Sequence, residues 1–158
     1  MSSPSHRGLD RALIVALLAF TATSLLFDRA AALDAVAEDS ADPFGRALWW
    51  YGVHYDPLVA ENPLFLRVMS GISAFGFGML YPVLAWGIAK RRNWVRGPAL
   101  AYAAMMLYSM FVHVVVEVQC DTPPPNMPIF LGTYLGYILV PVLLAWRLSP
   151  RRPFGAEG

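Results

Sequence analysis

The chain has 158 residues, of which 57% are hydrophobic and 15% charged, and its net charge is +1. Soluble domains carry about 25% charged residues, so this composition and a mean hydropathy of +0.48 exclude an ordinary soluble protein, while the length allows one domain. No basic run is interleaved with aromatics, which excludes a nucleic-acid groove. The single cysteine, Cys120, excludes an intrachain disulfide and a Cys-rich metal site. It reads as a small buried or interfacial filler.

The placement of charge gives the elements in chain order. Residues 1–10 are a polar, Ser-containing tail expected to be disordered. No charge falls between Leu13 and Phe27. Only Arg67 falls between Leu64 and Ala89, only Glu117 between Pro98 and Val118, and none between Pro128 and Trp146. All but the first approach the ~20 apolar residues a bilayer-spanning helix needs. The first is short unless Ala12 and a snorkelling Arg11 extend it. These stretches predict an all-α integral membrane four-helix bundle over 11–148, with spans at 12–28, 64–89, 98–118 and 128–147 and a tail at 149–158.

Basic residues flank one side. Arg7 and Arg11 precede the first span, Lys90, Arg91, Arg92 and Arg96 separate spans two and three, and Arg147, Arg151 and Arg152 follow the fourth. The other side collects Asp34, Glu38, Asp39, Asp42, Asp56, Glu61 and Asp121. The positive-inside rule then predicts that both chain ends face the cytoplasm. The membrane would be the cytoplasmic membrane in a bacterium or the endoplasmic reticulum in a eukaryote. A rival reading takes the first span, ending at Ala30-Ala31-Ala32, as a cleaved signal peptide. It leaves three spans and breaks the charge pattern.

Between spans one and two, Asp42 and Pro43 are N-cap and first residue of a helix predicted over Pro43–His54. Its Leu48-Trp49-Trp50-Tyr51 run suits a membrane interface. Asp56-Pro57 and Asn62-Pro63 are turn signals. In span two, Gly71, Gly76 and Gly78 with Ser70, Ser73 and Ala74 predict close helix packing, the feature that also raises a homodimer or scaffold. Pro82 predicts a kink, Thr122–Asn126 a stiff turn, and Pro141 an interruption of span four.

Ionisable residues within a span are costly and point to function. Asp28 ends span one. His113 and Glu117 lie four apart on one face of span three, and Tyr134, Tyr137 and Pro141 share a face of span four. Glu117 lies about 31 Å along the helix from Arg96, near the acidic edge. Asp28 and Glu117 are then either interfacial charges paired with Arg29 or Arg67, or they converge with Asp56 at the mouth of a cavity walled by Tyr134 and Tyr137. Such a cavity suits an apolar molecule with one polar or cationic end. His113 and Glu117 alone are too few ligands for zinc, so no metal and no cofactor are expected.

The segment Leu48-Trp-Trp-Tyr-Gly-Val-His-Tyr-Asp-Pro-Leu-Val59 resembles the loop signature of the sigma-2 receptor group of the EXPERA superfamily, which includes the sterol isomerase emopamil-binding protein. Ser24–Asp28, Asn93–Pro98 and Tyr134–Pro141 are similar to its first helix, cytoplasmic turn and fourth helix. The resemblance covers about Leu13 to Arg147. It implies a pocket between four helices, open laterally to lipid, that takes sterols and lipophilic amines. It implies that Asp28 meets the ligand amine, that Asp56 supports it, and that Tyr134 and Tyr137 line the pocket. Two departures stand out. The sigma-2 group has a second-helix carboxylate where this chain has Ser73. The isomerase has a first-helix His-x-x-x-Glu where this chain has Phe20 and Ser24, though it too has a carboxylate near Glu117. Two functions follow: a membrane protein binding a sterol-like or isoprenoid lipid or lipophilic amine, in transport or regulation, or an isomerase or cyclase of such lipids using Asp28, His113 and Glu117 as acid and base. The missing first-helix pair favours binding.

Overall fold

A computed structural model describes residues 4–119 and 122–155, so the expectations for Cys120 and Asp121 lie outside the described residues. All regular structure among the described residues is helical. Four helices are long and apolar enough to cross a membrane: span one (His6–Ala32), span two (Leu64–Ala89), span three (Asn93–Gln119) and span four (Met127–Leu148). This is the expected four-helix bundle.

Span one is longer than expected. Its helix begins at Pro4, so residues 4–10, read from sequence as disordered tail, form its first turns. Tertiary pairing is the reason. Arg147, only 5% exposed, donates from Nε to Asp10 Oδ1 at 2.7 Å and from Nη2 to Asp10 Oδ2 at 3.1 Å. A third donor reaches the Pro153 carbonyl at 3.1 Å, and the guanidinium lies 4.9 Å over the Phe154 ring. The chain after span four therefore folds back. Asn93 holds it by accepting from the Phe154 amide at 3.1 Å and donating to the Gly155 carbonyl at 2.8 Å.

Spans one and two lie along each other, as do spans three and four. Their shared core occupies the end carrying the basic residues, where Leu13, Leu17, Tyr81, Leu84, Tyr102 and Leu144 are almost fully buried. Spans two and three meet there through Tyr81 and Tyr102, with ring centroids 5.2 Å apart. Gly78 packs as expected: a Cβ on it would lie 3.4 Å from Leu25 of span one. Gly76 is exposed instead.

At the acidic end, Asp42 caps the helix Pro43–Tyr55 by accepting from the Phe44 amide at 2.9 Å. Asp56 caps the short helix Pro57–Glu61 by accepting from the Val59 amide at 3.3 Å. The two helices are pressed so closely that a Cβ on Gly52 would meet the Ala60 amide nitrogen at 2.4 Å. Asn62 turns the chain in a left-handed conformation, φ 45°, and donates to the Ala31 carbonyl at 3.0 Å.

One proline expectation changes. Pro141 is buried within an unbroken span four rather than interrupting it. Membrane helices tolerate proline when neighbouring groups relieve the freed carbonyl. The irregularity of span two is the π-helical turn Ile72–Phe77, just before Pro82, whose missing amide cannot serve the Gly78 carbonyl.

Candidate functional site

Toward the acidic end the helices part around a chamber of about 770 Å³, within the range of small-molecule sites. Its walls are mostly apolar, with Phe27, Phe65, Met69, Phe77, Met105 and Met110 among them. Phe65, Ile72, Met105 and Tyr108 on its rim are exposed, so the chamber opens to the outside between spans two and three. Tyr134 and Tyr137 both line it, as does Asp28.

Asp28 is placed by two π-helical turns that face each other, Ser24–Asp28 in span one and Ile72–Phe77 in span two. The extra residue in a π turn rotates the following side chains, and such turns gather at functional sites. Here they bring together groups from both helices. Asp28 Oδ2 accepts from Ser24 Oγ at 2.9 Å and from Ser73 Oγ at 2.6 Å, and the two hydroxyls lie 3.1 Å apart. Oδ1 accepts no hydrogen bond among the described residues. The alternative that paired Asp28 with a nearby arginine is not the arrangement found: Arg29 binds Asp42 at 2.6 Å, and Arg67 binds Asp34. Asp28 thus has hydroxyl donors and no cation among the described residues.

The carboxylates expected to converge at one mouth fall into two groups. Asp56 and Glu117 are fully buried and sit behind the chamber wall that His113 and Tyr134 form. Tyr134 donates its hydroxyl to Asp56 Oδ2, the same oxygen that lies 3.6 Å from His113 Nε2. Glu117 Oε1 accepts from the Leu58 amide at 3.5 Å. Asp56, His113 and Glu117 each offer an atom within 4.8 Å of the others. Helical spacing joined His113 to Glu117, and Asp56 adds a third group from the loop that spacing along one helix does not reach.

Tyr137 is held as a wall rather than as a polar partner. It stacks on Phe20 at 4.6 Å with an interplanar angle of 6° and donates to Thr23 Oγ1 at 3.2 Å. Phe20 and Ser24, the positions of the missing first-helix pair, are therefore a stacking partner and a hydroxyl donor. Sequence reasoning missed Ser24 and Ser73 as polar site residues. Ser24 carried a signal, since it stands four residues before Asp28 on the same helix.

Comparison with curated proteins and with solved structures returned no significant match. The family described as EXPERA (EXPanded EBP superfamily) matches residues 43–148, which takes in the interfacial helices and spans two to four and leaves span one, with Asp28, outside the match. With about two thirds of its length matched and four membrane-length helices arranged around a chamber, the chain belongs to the EXPERA superfamily.

Proposed function

We propose that this protein binds a sterol-like or isoprenoid lipid, or a lipophilic amine, in the chamber, in lipid transport or regulation. The observation that carries the reading is Asp28, the one carboxylate among the described residues that line a mostly apolar chamber, with one oxygen held by Ser24 and Ser73 and the other without a partner among those residues. The apolar body of the ligand lies among the methionine and phenylalanine side chains, and its polar or cationic end meets Asp28. Tyr134 and Tyr137 supply the aromatic wall, where a cation is favoured over a ring face. Asp56 acts at one remove, through the Tyr134 hydroxyl. Native mass spectrometry of the protein extracted with its lipids tests this. A lipid adduct lost when the chamber is filled by Ser109→Phe is expected, and an adduct unchanged in that variant would contradict it.

The charge pattern supports an orientation with both ends in the cytoplasm. A cysteine placed at Ala41 should react with an impermeant reagent on intact cells and one at Arg92 should not; the reverse pattern would overturn the orientation.

One observation favours a second reading, a lipid isomerase or cyclase. His113 faces the chamber with two buried acids behind it, and protonation of an alkene needs an acid at the substrate. An isomerase working this way would place solvent deuterium in a candidate sterol, dependent on His113 and Glu117. The binding reading expects none.

A further inference from the structure

Behind the chamber wall, Asp56, His113 and Glu117 bring one imidazole and two carboxylates into a space small enough for a single ion. Acidic side chains gathered together are common, and alone they indicate nothing. The imidazole is the independent observation. His113 is 3% exposed, its Nε2 has no hydrogen-bond partner among the described residues, and that atom is aimed at Asp56 Oδ2, 3.6 Å away. A buried polar atom left unpaired costs about 1–3 kcal/mol, so an orphaned imidazole nitrogen beside two acids calls for an occupant.

We infer that Asp56, His113 and Glu117 form a three-ligand site for a divalent transition ion of the zinc type, with the fourth position left to solvent. Zinc takes imidazole nitrogen and carboxylate oxygen at about 2.0–2.2 Å in a tetrahedron, which separates neighbouring donors by about 3.4 Å. The Asp56–His113 separation of 3.6 Å already fits. The widest separation, within 4.8 Å, closes with side-chain shifts of about 1 Å. The mixed nitrogen and oxygen donors exclude a soft ion such as copper(I) and suit zinc or cobalt(II) better than magnesium. Backbone amides of Leu58 and Val59 hold the carboxylates from behind, the supporting contacts that ligating carboxylates usually have. His113 and Tyr134 line the chamber, which gives the ion a way in. The ion would fasten the short helix Pro57–Glu61 to span three and fix the wall against which the ligand rests. It would also occupy the nitrogen that an isomerase would need as a proton carrier.

The site rests on neither functional reading, and its test uses no lipid. Purified full-length protein is incubated with zinc, dialysed against metal-free buffer, and its metal content measured. A parallel sample with cobalt(II) is read by visible absorption. About one zinc per chain, a four-coordinate cobalt spectrum and a raised Tm are expected, with His113→Ala and Glu117→Gln each weakening retention by more than about tenfold. Asp28→Asn should retain the ion while losing amine affinity, which separates failure of the metal site from failure of the binding reading. Wild-type protein that keeps no ion and shows no cobalt absorption would overturn the inference. So would an ion retained undiminished in His113→Ala, since it would then sit elsewhere.

Discussion

Toward the basic end the bundle is solid, and toward the acidic end it is hollow. The solid half is closed by Tyr81, Tyr102 and the leucines of spans one, two and four. An internal ion pair between Arg147 and Asp10 then ties the first helix to the last and to the returning chain. The hollow half has only a small apolar cluster, Leu58, Val59 and Leu66, beneath its cap. Its helices are held apart at the rim, two π-helical turns replace regular helix where Asp28 projects, and the helices Pro43–Tyr55 and Pro57–Glu61 contribute Leu48, Tyr51 and Val59 to the chamber wall. The same four helices thus use one end for stability and leave the other free to take a guest.

Breaking the solid half should have the largest effect. Arg147→Ala leaves Asp10 without its cation in a buried setting and should cost about 3–5 kcal/mol, read as a lowered Tm in detergent. Replacing both partners by apolar residues, Asp10→Leu with Arg147→Met, should recover most of that loss, because a well-packed apolar pair can match a buried ion pair. A double variant as unstable as Arg147→Ala would show that the pair does more than satisfy itself.

The cap over the hollow half is the next target. A methyl at Gly52 meets backbone, not a flexible side chain, so the two capping helices must move apart. Gly52→Ala should cost about 1–3 kcal/mol by overpacking and should loosen ligand binding as well. Unchanged stability would mean that the helices separate freely.

The smallest effect lies at the edge of the cap. The Phe44 amide, and then the Arg29 guanidinium, hold the Asp42 carboxyl below its ordinary range. A lowered folded-state value means that Asp42 contributes stability above about pH 4 and that the contribution fades as pH falls through the lowered value. Asp42 is only partly buried, so the change should be slight, and it should vanish in Asp42→Ala. A variant that keeps the full acid-dependent loss would assign that loss to other groups.

Much of the hollow half was legible. The spans followed from stretches almost free of charge, the first cap from Asp42-Pro43, and a turn from Asp56-Pro57. The candidate residues Asp28, His113, Tyr134 and Tyr137 all line one chamber. What was not legible depends on pairing across the chain. The start of span one looked like a tail because Asp10 reads as a solvated charge until Arg147, 137 residues away, is placed beside it. Ser73 looked like a small packing residue. A π turn changes which side chains share a face, and regular helical spacing then misplaces it. Asp56 could be read as a turn residue but not as the cap of a short helix or the neighbour of His113. Pro141 looked like a break because proline removes a backbone donor, yet in this setting the helix runs through it.

If Asp28 receives the polar end of a ligand in the chamber, amine binding must suffer in Asp28→Asn. The substitution keeps the shape of the side chain and removes its charge. A charge-assisted hydrogen bond contributes about 1.5–3 kcal/mol, so affinity for a lipophilic amine should fall about ten- to a hundredfold while Tm stays near that of the parent. An Asp28→Asn protein that is equally stable and binds the amine as tightly as the parent would contradict the account.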